Sequence, residues 1–211
     1  VGAEACLADV LPTPGAAFAL EAGLADVAVV VTASHNPSTD NGFKVLGYGG
    51  AKLSDEETAL VESFLEFPPE PRDSGSVYSV RSEALTAYHD LLSAVLAGPL
   101  QALAGRRLAV DLANGAAMST RAWLDDQAVD WVYLENEGAI NEDCGSEHLG
   151  PLCDLVRAEQ CVGGIAVDGD GDRCRLVDEH GLPVPGDAVT WLLAKALEVK
   201  RLAVTVMTTG G

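Results

Sequence analysis

The sequence predicts an α/β fold of successive βα domains with mixed, mostly parallel sheets. Short β-branched apolar runs alternate with segments whose apolar residues recur at helical spacing. Two polar loops, each following a strand-like run, hold the densest chemistry in the chain. In α/β sheets such loops lie beyond the carboxyl ends of strands, where ligands gather.

Taken in order, residues 27–31 form a β-branched run that leads into Thr32-Ala33-Ser34-His35-Asn36-Pro37. Ser54 and Glu57 have capping-box spacing and open a helix toward Phe64. Pro68, Pro69 and Pro71, followed by Asp73-Ser74-Gly75-Ser76, mark a boundary or exposed connection. Leu85, Tyr88, Leu91, Leu92 and Val95 then share a helical face over 83–96, and Gly98-Pro99 should stop that helix. Residues 108–112 form a strand ending in Ala113-Asn114-Gly115, with a helix following to Asp126. A strand over 131–134, a short helix over 152–159 and a buried strand over 165–167 come next. The last of these runs into Asp168-Gly169-Asp170-Gly171-Asp172-Arg173. Residues 175–177 resume as strand, 178–181 turn, 187–199 are helical and 202–207 are strand again. The chain starts at Val1 and stops shortly after this last run, so an excerpt of a longer protein is expected.

Composition narrows the function. With 48% hydrophobic and 21% charged residues the 211-residue chain is globular. Its 13 basic and 32 acidic side chains leave a formal net charge of −19, which repels nucleic acid backbones. An anionic substrate would also be repelled unless local cations reverse the field. No apolar run is long enough to cross a bilayer and no charged-then-apolar leader opens the chain, so no membrane partner is expected. Five cysteines without CxxC spacing (Cys6, Cys144, Cys153, Cys161, Cys174) favour a reducing compartment, and the cytoplasm is the expected location.

In the carboxylate loop, two glycines allow a tight turn that lets Asp168, Asp170 and Asp172 converge. Crowded carboxylates need a cation, and oxygen-only ligands favour magnesium or calcium. Asp168, Asp170, Asp172 and Glu179 also match EF-hand positions 1, 3, 5 and 12. Against that reading, Arg173 stands where the sharp turn needs glycine, and the flanks read as strands. A solvated acidic turn is the plain alternative, and glycine in both gaps makes it the weaker one.

Ser34 alone could be a turn residue. His35, Asn36 and Lys44 surround it within a short span, offering a titratable ring, a neutral donor and a positive charge. A serine–histidine–aspartate hydrolase lacks support, because no Gly-x-Ser-x-Gly elbow or oxyanion-loop signature is present. Lys44 by itself would read as a surface lysine, but its place after Asn41-Gly42 favours a role in the site.

Together, Thr32-Ala33-Ser34-His35-Asn36-Pro37, Asn41-Gly42-Phe43-Lys44 and Asp168-Gly169-Asp170-Gly171-Asp172-Arg173 resemble the α-D-phosphohexomutases in order and spacing. Asn141-Glu142-Asp143-Cys144-Gly145-Ser146-Glu147-His148 resembles a stretch of one bacterial subgroup, with departures at Leu149-Gly150 and over 37–40. The resemblance implies a four-domain architecture present only in part. Residues 1–80 would be the later part of domain 1, 81–183 domain 2, and 184–211 the start of domain 3. It implies a phosphorylated hexose as substrate, a phosphoserine at Ser34, one magnesium ion and a hexose 1,6-bisphosphate activator. Ser34, Asp168, Asp170 and Asp172 would hold the metal. Lys44 would transfer protons, Arg173 would bind the phosphate, and His35 would orient it or act as a secondary acid or base. The implied reaction moves phosphoryl between the 6- and 1-positions, with glucosamine 6-phosphate favoured and cell-wall precursor synthesis downstream. A homodimer is its candidate assembly.

Overall fold

The computed structural model describes residues 3–67 and 75–204. Within them the chain forms β1 (Ala5–Leu7), α1 (Thr13–Glu21), β2 (Ala28–Val31), β3 (Phe43–Leu46), α2 (Asp55–Glu66) and β4 (Val77–Ser79). Then follow α3 (Arg81–Ala102), β5 (Arg107–Asp111), α4 (Arg121–Asp125), β6 (Asp130–Tyr133) and α5 (Gly150–Ala158). Strands β7 (Gly164–Val167), β8 (Cys174–Val177) and β9 (Pro183–Val184) precede α6 (Gly186–Ala196).

The main sheet has the order β6-β5-β7-β8-β9. Its β6-β5-β7 core is parallel, while β8 and β9 return antiparallel, so the carboxylate loop is the connection of a β7–β8 hairpin. Two smaller sheets stand apart from it: β1 pairs parallel with β4, and β2 pairs antiparallel with β3. The sheets are mixed, as expected, but the parallel majority gives way to an even division among the described pairings. Connections of eleven, six and five residues (32–42, 168–173 and 178–182) bring neighbouring strands together antiparallel without a helical crossover.

Local chemistry accounts for the helix ends. Pro12 and Pro14 flank the first turn of α1, where a missing N–H costs nothing. At its end, Leu24 N donates to Ala19 O and Gly23 N to Leu20 O, with Gly23 at φ 76°, a Schellman motif. The Ser54–Glu57 capping box forms as the sequence predicts, with both reciprocal bonds present. Helix α3 corrects one expectation, since it passes through Gly98-Pro99 and ends at Ala102. Pro99 removes one donor near the helix end, but the chain regains its bonds there as Leu103 N donates to Leu100 O and Pro99 O. The helix expected after Gly115 is a 3₁₀ turn, Ala116–Thr120, running into the short α4. The helix expected over 187–199 ends at Ala196. Of the expected strand over 202–207, residues 202–204 form no strand and the rest lie outside the described residues. Pro68, Pro69 and Pro71 of the expected break lie outside them as well.

Burial concentrates where α5 lies on the sheet. Ala109, Leu152, Cys153, Val156, Cys161, Ala166 and Val177 form one core, and α1 packs on α3 through Leu11, Ala19, Ala84 and Tyr88. All five cysteines are free. No helix among the described residues is long and apolar enough to cross a membrane. Leu152 is fully buried, and Gly164 lies so close that an added Cβ would stand 3.2 Å from its side chain. We expect Leu152→Ala to destabilise the protein by about 2–5 kcal/mol, read as a lowered urea midpoint at unchanged slope.

Candidate active site

Serine and carboxylate loops, far apart in sequence, meet at one point. Ser34 leaves the end of β2 in a left-handed conformation, φ 55°, and its N–H donates to Thr32 Oγ1 at 2.9 Å. Its hydroxyl donates to Asp168 Oδ2 at 2.7 Å. The Arg173 guanidinium donates to Ser34 Oγ at 3.0 Å and contacts His35 Nδ1 at 2.5 Å. Arginine has donors only, so His35 Nδ1 accepts and the ring proton sits on Nε2. His35 thus holds the guanidinium against the serine.

Lys44 arrives from β3, paired with Val30 on β2. The hairpin between them closes where Thr32 N donates to Gly42 O and Gly42 N to Asn41 Oδ1. Lys44 Nζ lies 2.5 Å from Asp170 Oδ2 and 2.6 Å from Asp172 Oδ2. Partial burial alone would lower the Lys44 pKa, but hydrogen bonds and charge from the two aspartates outweigh it and raise it. Asp170 shows the mirror image. Burial alone would raise its pKa, yet bonds from Lys44 and Thr13 hold it below the usual carboxylate value. Lys44 is therefore an ammonium ion, held by the Asp170 and Asp172 side chains.

Asp168 and Asp170 are buried while Asp172 is partly exposed, and ligand oxygens of all three lie within 4.8 Å of one another. Gly171, at φ 70°, makes the tight turn as its N–H donates to Asp168 O. Gly169 lies against the serine loop: a Cβ there would stand 2.8 Å from Ser34 O and 2.8 Å from Asn141 Nδ2. Its own carbonyl accepts from Ala116 N. Because β7 and β8 pair on either side, the loop is a hairpin and not a helix–loop–helix, and Glu179 is exposed outside the aspartate cluster. The EF-hand alternative therefore has no structural support.

The chemistry of this donor set suits a hard divalent ion. Asp170 Oδ1 is buried without a hydrogen-bond partner, an acceptor left over for a cation. Asp168 and Asp172 offer further oxygens beside it, and Lys44 places positive charge on the same carboxylates.

All seven residues singled out in the sequence (Ser34, His35, Lys44, Asp168, Asp170, Asp172 and Arg173) lie in this one site. Two others join them. Thr13, at the start of α1, donates its hydroxyl to Asp170 Oδ2 at 2.5 Å, and its N–H donates to Asp170 O at 2.9 Å. Asn141 donates to Ser34 O and Asn36 O. Thr13 carried no local signal beyond its place between two prolines. Asn141 lay in a recognised stretch without an assigned task.

Residues 1–68 match the family model described as phosphoglucomutase/phosphomannomutase, alpha/beta/alpha domain I. The chain belongs to the α-D-phosphohexomutase family. Within it, the curated relatives it matches include the phosphoglucosamine mutases of Deinococcus radiodurans and Clostridium perfringens. The first is 38% identical over 206 residues, covering 94% of this chain and 46% of that protein. The second is 39% identical over 225 residues, covering 100% and 50%. The chain thus spans about half the length of these relatives. Among solved structures, a phosphoglucomutase/phosphomannomutase family protein from Burkholderia thailandensis has a TM-score of 0.73 at 25% identity, covering 93% of this chain and 44% of that one. A Thermus thermophilus structure described as a putative phosphomannomutase has a TM-score of 0.74 at 22% identity, covering 95% and 48%, and shows the shared fold.

Thr13→Val removes a hydroxyl donor from a buried carboxylate while keeping side-chain volume. We expect it to cost about 1–3 kcal/mol, measured by urea unfolding at neutral pH.

Proposed function

We propose that the protein of which this chain is a part is a phosphosugar mutase that shifts a phosphoryl group between the 6- and 1-positions of a hexose. Glucosamine 6-phosphate is the favoured substrate, in line with the names of the curated relatives. The observation that carries the reading is the Ser34 hydroxyl held between the Asp168 carboxylate and the Arg173 guanidinium. A hydroxyl placed so can carry phosphoryl, with the arginine as its charge-assisted partner.

In the donating step, the bond between phosphorus and Ser34 Oγ breaks as the sugar hydroxyl oxygen bonds to phosphorus, and the sugar hydroxyl's proton ends on the released Ser34 oxygen. After the bisphosphorylated sugar turns over, Ser34 Oγ takes phosphoryl back from the other end, and the departing sugar oxygen gains a proton in exchange for the one the Ser34 hydroxyl gives up. Lys44, an ammonium held by Asp170 and Asp172, neutralises charge beside the reacting group and can give that proton. Arg173 binds the phosphoryl oxygens, and His35 fixes Arg173 through Nδ1. A magnesium ion held by Asp168, Asp170 and Asp172, with an oxygen of the phosphorylated Ser34, would supply the charge that such transfer requires. These cations answer the repulsion that a net charge of −19 would otherwise impose on a phosphate.

Residues 1–80 serve in this reading as the later part of domain 1, 81–183 as domain 2 and 184–211 as the start of domain 3. The 211-residue chain alone is inactive in this proposal, because sugar selection needs the length its relatives have beyond it. The free thiols suit a cytoplasmic enzyme.

Incubation of a version extended to the relatives' length with a hexose 1,6-bisphosphate should add one phosphate by intact mass. Ser34→Ala should add none, and equal uptake by both would remove Ser34 from its role. Magnesium titration by calorimetry should show binding, weakened about tenfold or more by Asp170→Asn. Unchanged affinity would remove Asp170 from the metal site.

A further inference from the structure

We infer that Asn141 is a positioning residue for Ser34: its side-chain amide clamps two carbonyls of the serine loop and sets the direction of the Ser34 hydroxyl. The inference rests on the reading of Ser34 as the phosphoryl carrier.

Asn141 Nδ2 donates to Ser34 O at 2.9 Å and to Asn36 O at 3.0 Å. Both partners are carbonyl oxygens, which can only accept, so the amide nitrogen must face the serine loop. The amide oxygen faces the other way, 3.4 Å from where a Cβ on Gly145 would stand. One side chain thus ties together carbonyls on both sides of His35, across 107 and 105 residues of sequence.

The clamp is itself held rigidly. Asn141 is buried and sits at φ 62°, a conformation that asparagine tolerates better than most residues. Its N–H donates to Ala113 O. The buried Asp111 carboxylate accepts from Ala113 N at 2.8 Å and from Gly145 N at 2.5 Å, fixing both flanks of that contact. Nearby, Asn114 Nδ2 donates to Asn136 O and Gly138 O, each at 3.0 Å, and holds the loop that leads to Asn141. The support runs from the end of β5 to the serine loop without passing through solvent-exposed groups.

The clamp has a specific consequence. Ser34 sits at φ 55°, costly for a non-glycine residue unless its surroundings fix it. Its own N–H is fixed by Thr32 Oγ1, and Asn141 fixes its carbonyl. With both peptide groups tied, Oγ points at Asp168 and Arg173. Without the amide, the Ser34 carbonyl is free to turn and the hydroxyl with it. A displacement on the ångström scale is enough to cost in-line transfer about a hundredfold.

Two variants of the extended protein separate clamp from backbone. Asn141→Gly keeps the left-handed conformation without strain and removes the amide. Asn141→Asp keeps the shape but presents two acceptor oxygens to two carbonyls. By hydrogen exchange with mass spectrometry, both should speed exchange in peptides covering 33–37 about tenfold or more, with 164–167 of β7 unchanged. In mutase turnover, kcat should fall about tenfold or more while KM for the sugar phosphate stays within about twofold. Unchanged exchange at the serine loop overturns the clamp whatever the turnover shows. Faster exchange with unchanged kcat overturns its bearing on Ser34. Should the parent protein itself take up no phosphate at Ser34, the carrier reading fails, while the exchange measurement still decides the clamp.

Discussion

Three carboxylates on one short hairpin, two of them buried, are the constraint that organises this protein's site. At about 4 Å separation and an effective dielectric near 20, each like-charged pair costs roughly 4 kcal/mol, before any penalty for burial. Such a loop is stable only where cations and donors converge on it. Lys44 on Asp170 and Asp172, Arg173 near Asp168, and the hydroxyls of Thr13 and Ser34 meet that need. Each partner comes from a different element: β3, the hairpin itself, α1 and the end of β2. The demand for cations and donors is therefore also what ties the start of α1, the end of β2 and β3 to the carboxylate loop of the main sheet. The same crowding leaves Asp170 Oδ1 without a partner, the open valence a metal would fill.

Much of this was legible in sequence because it was written locally. Ser54 and Glu57 are three residues apart, and their capping box needs nothing from elsewhere in the fold. Asp168, Asp170 and Asp172 lie on a turn that Gly169 and Gly171 make possible, so their convergence follows from five consecutive residues. The misses have physical causes of their own. Helix α1 is built from Gly15, Ala16, Ala17 and Ala19 around Phe18 and Leu20, with no clear alternation of apolar and polar residues, and it becomes a helix by packing on α3. Pro99 was expected to stop α3, but a proline near the end of a long helix removes only one bond from an established ladder. Thr13 and Asn141 bond across 157 and 107 residues, and no local pattern announces a partner so distant.

In the proposed reaction, roles divide between groups that would face the reacting atoms and groups that hold them still. Ser34, Lys44 and Arg173 present an oxygen, an ammonium and a guanidinium to one small volume. Behind them, His35 and Asn141 constrain Arg173 and Ser34 through single, directional bonds. Asp111 lies one step further back, fully buried, its pKa raised by that burial while bonds from Ala113 and Gly145 oppose the rise.

Gly169 shows what this closeness means for the gene. Every missense codon at that position adds a Cβ, and a Cβ would press on the Ser34 carbonyl, the Asn141 amide and the Ile140 side chain together. Those neighbours come from two other stretches of chain, so no single compensating change relieves all three contacts. Any substitution at Gly169 therefore requires the serine loop and the Ile140–Asn141 stretch to shift together.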